Sequence, residues 1–383
     1  MTNRRMGLME SYTTTIMGAG INEMSDIIEV EAETNNDLVG APRIMVVGAG
    51  GAGNNSVSLL SHMGIKGAEI IAVNTDLQAL KLAEANKRIL IGKNITRGRG
   101  AGGDPETAAR CMKASQRAFE SLFNDVNLVF VIAGMGGGTG TGSAPVIAEI
   151  AKSQGAIVIG IVTMPFNVER ERRTKAKIGA RALRKIANST IILDNNKLLH
   201  LVGNRSISTA FSMIDKLIAE IIIGVTETIT EPSLINLDFA DLKSVMSSGG
   251  TATILYGEAS SLDPETIIHN TINNPMYKVN YKEVTGALIH ITSGTNLTLK
   301  NTEVIANGIT KEINKKVEVI IGARLDPNLQ NKIKVMAILT GVDRREAGMP
   351  AQNGPIDMKD IRKRIEVGFN PKSYSKWDIP LVR

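Results

Sequence analysis

The stretch GMGGGTGTG, residues 134–142, lies between two segments with different hydrophobic patterns. Residues 128–133 before it (LVFVIA) are continuously apolar, which is typical of a strand buried on both faces of a parallel sheet. After it, apolar residues recur at helical spacing from Val146, and Pro145 is expected near the start of that helix, where a missing N–H costs little. The stretch is therefore predicted to join a buried strand to a helix N-terminus.

Such a loop is suited to binding an anion. Its six glycines let the backbone approach a ligand closely, and the free amides and dipole of the following helix favour negative charge. Thr139 and Thr141 add hydroxyl donors, so we expect a di- or triphosphate. The alternative is an empty flexible turn, but flexible linkers rarely join a buried strand to a helix. No Gly-Lys-Ser/Thr follows, so this is not a Walker A loop.

Composition excludes several classes of protein. A chain of 383 residues predicts roughly two to three domains. Aromatic residues are only 3%, which argues against stacking platforms for single-stranded nucleic acid, and the net charge of +6 is weak evidence for nucleic-acid or membrane binding. A single cysteine, Cys111, fits a reducing cytosol, and the four histidines lie in no zinc-ligand spacing with it. We predict neither a membrane span nor a signal peptide.

Two further glycine-rich loops follow predicted strands. Residues 48–55 (GAGGAGNN) follow the strand 44–47 and contain GxGxxG, which alone is compatible with a nicotinamide dehydrogenase. The strand 69–73 ends in Asn74-Thr75-Asp76, where Asp76 would either hold a ribose or cap the next helix. Residues 98–106 (GRGAGGDPE) form the third loop, before a helix predicted from Glu106 to Phe119. Three phosphate-type loops are more than a dinucleotide fold usually needs.

The alternation of strands and helices continues along the chain. The strand 157–162 leads to PFNVE (165–169) and a charged helix, and the strand 190–193 leads to residues 194–197. Alternation from 44 to 205 predicts right-handed crossovers and an α/β fold with a doubly wound parallel sheet. The polar loops follow the carboxyl ends of strands and should share one rim.

A long apolar helix is predicted from Ile207, and because it is apolar nearly all round it should lie buried between layers or domains. It contains Asp215. A buried carboxylate needs a partner, which would be either a group within the protein or a ligand base that offers two N–H donors.

The segment after this helix, residues 231–241 (EPSLINLDFAD), carries two carboxylates three positions apart. Asp238 and Asp241 can face one way on a first helical turn, which suits general-base work or a metal-bound water. From the residues alone, N-capping by Asp238 is the preferred interpretation.

The domain boundaries follow from these patterns. Residues 1–40 are predicted to be a disordered arm, 41–206 a nucleotide-binding domain, 207–231 the central helix, and 232–342 an α+β domain with a mixed sheet. Residues 343–383 read as a linker that ends in WDIPLVR (377–383), which is either a docking peptide or a loose end.

From about Pro42 to Val342 the chain resembles the tubulin/FtsZ family of division GTPases. GMGGGTGTG resembles the family's signature loop, which is a highly specific motif. GAGGAGNN, VNTD (73–76), GRGAGG, PFNVE and NLDFAD (236–241) match its other loops in order, and LDP (325–327) lies where the family has the same triplet.

The resemblance implies a tubulin/FtsZ-like fold that binds GTP or GDP with Mg²⁺ and hydrolyses GTP. Its implied nucleotide-binding positions are Gly50, Gly51, Ala52, Asn54, Asn74, Asp76, Gly100, Ala101, Gly102, Gly136, Gly137, Gly138, Thr139, Gly140, Pro165, Glu169, Arg173, Asn195, Phe211 and Asp215. Within this set the glycine loops would hold phosphates, Glu169, Arg173 and Asn195 would contact ribose and phosphate, and Phe211 with Asp215 would hold guanine.

The resemblance also implies how the protein acts. Asp238, Asp241 and Asn236 would act on the γ-phosphate held by the next subunit, which overturns the capping preference for Asp238. The expected partners are further copies in a head-to-tail filament and a membrane-anchor protein that reads the C-terminal peptide, with no nucleic acid and no direct membrane insertion. The expected location is the cytoplasm, at the mid-cell division site.

Two rival functions remain at this stage. A nicotinamide dehydrogenase would need an acid/base pair near the nicotinamide, and no His or Lys is placed for that role. A filament protein that binds GTP without hydrolysing it is the second rival, and NLDFAD argues against it.

Overall fold

The computed structural model describes residues 42–197, 207–231, 235, 238–247, 251–260, 263–273, 281–311, 313 and 317–342. Predictions for the arm (1–40), for the linker with its terminal peptide (343–383) and for Asn236 lie outside the described residues.

The first sheet is parallel, with six strands in the order β3-β2-β1-β4-β5-β6 within the described part of the chain. These strands are β1 (Ile44–Ala49), β2 (Ala68–Asn74), β3 (Lys87–Leu90), β4 (Leu128–Gly134), β5 (Ile157–Met164) and β6 (Ser189–Asp194). The order reverses between β1 and β4, which is the point where doubly wound sheets bind ligands. The predicted doubly wound fold is confirmed.

Helices cover both faces of this sheet, as the crossovers require. They are α1 (Gly50–Met63), α2 (Leu77–Lys81), α3 (Lys93–Thr96), α4 (Pro105–Ala114), α5 (Gln116–Leu122), α6 (Thr139–Ser153) and α7 (Arg170–Ile186). Side chains of α4 to α7 pack on one face, and α1 with the central helix α8 (Ile207–Thr230) packs on the other.

The second sheet is mixed, as predicted, with the order β7-β10-β8-β9. Its strands are β7 (Thr251–Ala259), β8 (Gly286–Ser293), β9 (Glu318–Leu325) and β10 (Ile333–Val342), with β8 and β9 parallel and β10 antiparallel to β7 and β8. The helices α9 (Phe239–Ser247), α10 (Pro264–Ile272) and α11 (Leu299–Thr310) belong to this half. One hydrophobic core runs from the first sheet through α8 into this sheet.

Two predicted helices differ from those in the structure. The helix expected from Glu106 to Phe119 is divided into α4 and α5 at Ser115, which has φ −98° and ψ 7° and whose hydroxyl bonds to the carbonyl of Cys111. The helix after the signature loop begins within the loop, at Thr139, because Gly142 N already donates to Gly138 O at 3.0 Å. Pro145 therefore lies inside this helix and not near its start.

Across the described residues, no helix has the length and apolar character that crossing a membrane would require.

Candidate nucleotide site

The loops after β1 and β4 meet edge to edge at the point where the strand order reverses. Gly50 has a φ of +73°, and a Cβ placed on it would lie 2.8 Å from Gly140 N. Gly136 has a φ of +104°, and a Cβ there would lie 2.8 Å from the carbonyl oxygen of Arg172. Both positions require glycine, since a side chain would be strained and would also clash with backbone.

Two other glycines are not required by the protein itself. A Cβ on Gly51 or on Gly137 would meet no described atom within 4 Å, and neither residue has a positive φ. These two positions border the amides at the N-termini of α1 and α6. Glycine here keeps the backbone open to close approach by an anion.

Two buried asparagines form hydrogen bonds with the backbone of these loops. In the amide orientation of Asn54 that satisfies its neighbours, the side-chain nitrogen donates to Gly48 O at 2.9 Å and to Gly50 O at 3.1 Å, and the oxygen accepts from Asn74 Nδ2 at 3.1 Å. Asn74 Oδ1 in turn accepts from the backbone amides of Thr75 and Asp76. Both side chains are only 3% exposed, so they position the loops and do not reach the rim.

The two threonines of the signature loop also make contacts inside the protein. Thr139 Oγ1 lies 2.7 Å from Thr75 Oγ1, which joins the β2 and β4 loops. Thr141 is 3% exposed, and its hydroxyl accepts from Gly136 N at 2.8 Å. The Thr141 hydroxyl thus acts as an acceptor that helps to fold the loop, and its role as a donor to a ligand stays a prediction.

The third glycine-rich loop packs against the signature loop. A Cβ on Gly138 would lie 3.0 Å from both Ala101 Cβ and Asp104 N, and Gly100 and Gly102 have φ values of +81° and +60°. The predicted phosphate loops are therefore neighbours on one rim.

Asp76 caps the next helix. Its Oδ1 accepts from Gln78 N at 2.9 Å and Ala79 N at 3.1 Å. Of the two interpretations of Asp76 drawn from the sequence, the structure shows the cap.

A cavity of about 230 Å³ opens beside this rim, between the ends of β4 and β5, helix α1 and the central helix. Six of the predicted site residues line it together, namely Ala52, Pro165, Glu169, Asn195, Phe211 and Asp215. Asn195 is 8% exposed, and its Oδ1 has no hydrogen-bond partner within the described part of the chain. Buried polar atoms are usually paired, so this atom favours a ligand in the cavity.

One end of the cavity is lined by the carboxylate of Asp215 and the aromatic ring of Phe211. Asp215 Oδ1 accepts a 2.6 Å hydrogen bond from Ser56 Oγ. Burial raises the pKa of Asp215, and the Ser56 hydrogen bond offsets part of that rise. Phe211 is 43% exposed, and its ring centroid lies 6.1 Å from that of Phe166. Asp215 thus has a protein partner and also lines the cavity.

Sequence reasoning missed Arg172. Arg172 lines the cavity and forms an ion pair with Glu169, whose Oε1 also accepts from Phe166 N at 3.1 Å. Three arginines occur within residues 170–173, and only the register of α7, at about 100° per residue, decides which one faces the cavity.

Arg173 makes contacts within the protein. Its Nη1 donates to Pro165 O at 2.8 Å, and its Nη2 lies 2.9 Å from Asp194 Oδ2. Burial alone would raise the pKa of Asp194, but hydrogen bonds from Arg173 and Asn196 lower it overall. Arg173 therefore ties the end of β5 to the end of β6.

The predicted catalytic carboxylates form a capping box at the start of α9. Asp241 N donates to Asp238 Oδ1 at 2.8 Å, and Asp238 N donates to Asp241 Oδ2 at 3.0 Å. The central helix has 24 residues, so it is roughly 36 Å long at about 1.5 Å per residue. Phe211 and Asp215 lie in its first half, and the carboxylates come after its far end.

The parallel sheet, the glycine loops at its switch point and the acid-lined cavity define a nucleotide-binding protein of the doubly wound class. The family model for "Tubulin/FtsZ family, GTPase domain" matches residues 43–203, and that for "FtsZ family, C-terminal domain" matches residues 250–343.

Individual relatives agree with these matches. The cell division protein FtsZ 2 of Methanocaldococcus jannaschii is 51% identical over 310 residues, which cover 80% of this chain and 82% of that protein. FtsZ 2 of Haloferax volcanii is 48% identical over 326 residues, covering 85% and 82%. A solved structure titled "FtsZ dimer, empty", from M. jannaschii, has 37% identity and a TM-score of 0.75, and the match covers 82% of this chain and 95% of that one.

The chain belongs to the tubulin/FtsZ family. It binds GTP and GDP and hydrolyses GTP, and it is a tubulin-like protein of the cell-division type. The dehydrogenase interpretation is therefore wrong.

Proposed function

We propose that this GTPase polymerises head to tail and that its GTP site is completed by the Asp238/Asp241 segment of the next subunit. The observation that carries this proposal is the placement of the two halves. Phosphate loops lie on the rim of the first sheet, and Asp238 lies beyond the opposite end of α8. Roughly 22 Å of helix separates Asp215 from that end, so a stacked neighbour brings the halves together more easily than one chain can.

Stacking of this kind repeats. The upper rim of one copy meets the lower end of the next, and such a heterologous contact generates open filaments when its rotation does not close. A related M. jannaschii FtsZ has been solved as a dimer, according to its title. We infer that this chain also associates with copies of itself, and that its head-to-tail filaments form a cytokinetic ring at mid-cell in the cytoplasm.

In the completed site each group has a separate task. The amides at the N-termini of α1 and α6 hold the phosphates, Asp215 accepts from the two N–H groups of guanine, and Phe211 covers the base. Glu169, Asn195 and Arg173 remain the predicted contacts to ribose and phosphate. Asp238 and Asp241 of the neighbour, with Asn236, orient the attacking water.

We also propose that Mg²⁺ binds together with the nucleotide. No group of three or more His, Cys, Asp or Glu side chains among the described residues could hold a metal ion. We propose that the ion is held mainly by the phosphates and water, where it would neutralise the developing charge. We further propose that the C-terminal peptide is read by a membrane-anchor protein.

Phosphate release measured across a protein dilution series tests the shared site. Turnover per subunit should rise steeply once filaments form, and Asp238→Ala should bind GTP and assemble but hydrolyse it at least about 100-fold more slowly. Constant turnover per subunit at concentrations where the protein is monomeric would rule out the shared site, and so would full turnover by Asp238→Ala.

A further inference from the structure

The central helix and the second sheet are joined by a partly buried ion pair. Arg324 Nη2 on β9 lies 2.6 Å from Glu227 Oε2 on α8, and the side chains of Arg324 and Glu227 are 11% and 35% exposed. Burial raises the pKa of Glu227. The positive charges of Arg324 and Lys334 act to lower this pKa, and the negative charges of Asp326 and Glu231 act to raise it. Loss of Glu227 would leave the guanidinium of Arg324, the more buried partner, without its counter-charge.

The same strand also holds the segment that carries the catalytic carboxylates. Ala323, next to Arg324, forms an antiparallel bridge with Ile235, in which Ile235 N donates to Ala323 O at 3.2 Å and Ala323 N donates to Ile235 O at 3.3 Å. Ile235 lies three residues before Asp238. One short piece of β9 therefore contacts both the last turns of α8 and the start of the Asp238 segment.

The imidazole of His290, on the neighbouring strand β8, adds no second cation beside Arg324. His290 is 3% exposed, and burial together with the charge of Arg324 lowers its pKa to about 4. This imidazole is therefore neutral at physiological pH.

We propose that the Glu227–Arg324 pair is a positioning element for GTP hydrolysis, which fixes β9 against the central helix and thereby sets where Ile235 delivers Asp238 and Asp241. The inference rests on the proposed shared site. Neither residue lines the nucleotide cavity of its own chain, so both act through the segment that the bridge holds. An orientation error in a reacting group lowers turnover strongly even when binding is intact.

The chain offers a matched control pair that also joins α8 to the second sheet. Glu220 lies seven residues before Glu227, which is about two helical turns and hence the same face of α8. Its Oε2 lies 3.0 Å from Lys334 Nζ on β10 and 3.2 Å from the Tyr256 hydroxyl on β7. The bridge to Ile235, however, is made by β9, and within the described part of the chain neither β7 nor β10 shares it.

The test compares Glu227→Gln with Glu220→Gln in the full-length protein. Three quantities are measured: affinity of the monomer for a fluorescent GTP analogue, phosphate release per assembled subunit, and Tm. We expect both variants to bind GTP like the wild type. Glu227→Gln should lower turnover per assembled subunit roughly tenfold, whereas Glu220→Gln should stay within about twofold. Equal turnover in the two variants overturns the proposal.

A rescue experiment keeps the test decisive if Glu227→Gln folds poorly. Replacing both partners, as in Glu227→Leu with Arg324→Met, removes both charges and leaves neither unpaired, which should restore stability. Turnover should remain low in this double variant, because the bond that fixes β9 is still absent. Arg324→Lys, which keeps the cation, should retain more activity than Arg324→Met. A stable double variant with wild-type turnover overturns the proposal.

Asp238→Ala separates this inference from the function it rests on. If Asp238→Ala is inactive while Glu227→Gln matches Glu220→Gln, the positioning role alone is wrong. If Asp238→Ala hydrolyses GTP normally, the shared site itself is wrong, whatever Glu227→Gln does.

Discussion

Ser56 Oγ donates a 2.6 Å hydrogen bond to Asp215 Oδ1 and so connects α1 to the central helix inside the nucleotide cavity. Helix α1 begins at Gly50, within a glycine loop, and carries Ser56 less than two turns later. The same helix therefore borders the phosphate end of the site and orients the acid at its base end. This hydrogen bond links the position of the glycine loop to that of the acid that we propose to hold guanine.

Asp215→Asn should weaken GTP binding while making the free protein more stable. A carboxylate can accept hydrogen bonds from both N–H groups of guanine, whereas the side chain of asparagine is uncharged and cannot do so. Losing such a hydrogen bond lowers affinity roughly 10- to 100-fold. At neutral pH the ionised Asp215 is destabilising, since burial raises its pKa. Calorimetry for GTP and the Tm of the nucleotide-free protein measure the two effects. Unchanged affinity for GTP would contradict the assignment of Asp215 to guanine.

The raised pKa of Asp215 also predicts a pH dependence. The folded protein binds the Asp215 proton more tightly than the unfolded chain, so this contribution to stability is present below the unfolded pKa and is lost as pH rises through the folded pKa. The stability gain of Asp215→Asn should therefore shrink as the solution is acidified. GTP affinity of the wild type should fall over the same range, because the protonated acid loses an acceptor. A pH profile of Asp215→Asn that falls in the same way would contradict this.

Gly51→Ala should stabilise the fold and weaken GTP binding. Gly51 lies in the first turn of α1, where an added Cβ would meet no atom of the described chain within 4 Å, so alanine there gains about 0.5–1 kcal/mol in helix stability. The added methyl group would stand where the phosphates approach. Gly53→Ala is the matched control in the same helix, because its Cβ would lie 2.5 Å from Ile132 O and should destabilise the protein. Thermal unfolding and GTP titration of both variants check this, and unimpaired GTP binding by a folded Gly51→Ala would contradict it.

Arg172 and Arg173 should differ in what their loss affects. Arg172 lines the cavity and is 58% exposed, so Arg172→Ala should lower GTP affinity about tenfold with little change in Tm. Arg173→Ala removes bonds to Pro165 O and Asp194 and should cost about 1–3 kcal/mol of folding free energy. Urea unfolding and GTP titration of the two variants measure this. The reverse pattern, in which Arg173→Ala is stable but binds GTP weakly, would contradict this prediction and support Arg173 as the main arginine contact to the nucleotide.

Much of this molecule could be predicted from its sequence because the evidence for it is local. Continuous apolar runs such as 128–133 identified the strands of a parallel sheet, and glycine loops after them identified its ligand rim. Short elements such as β3 and α3 were not predicted, since four residues carry too little periodicity to recognise. Ser115 gave no sign that it would divide a helix.

The candidate site, too, could be predicted from the sequence only in part. Asp215 stood out as an acid in an apolar helix, but its partner Ser56 lies 159 positions away, and only the packing of two helices brings them together. Arg172 and Arg173 are adjacent and alike in sequence, and only helix register separates a cavity residue from a scaffold residue. Asp238 was predicted first as a cap and then, by resemblance, as catalytic. The capping box is what the structure shows, and the catalytic role stays a prediction.

Two inactive variants should restore each other's activity if the site is shared between subunits. Asp238→Ala binds GTP but offers its neighbour a defective catalytic segment. Asp215→Ala, at GTP concentrations below its weakened dissociation constant, holds little nucleotide but offers an intact segment. In a randomly mixed filament of equal parts, half the subunits hold GTP and half of those face an intact Asp238, so turnover should reach roughly a quarter of the wild-type value.

The controls for this mixing experiment are each variant alone, at the same total concentration and under the same assembly conditions. Phosphate release from the mixture should exceed the sum of the two by a wide margin, and the excess should disappear on dilution below the assembly threshold, because complementation needs contact between subunits. A site built within one chain makes the opposite prediction. No subunit in the mixture would then have both halves, and the activity of the mixture would equal the sum of its parts at every concentration.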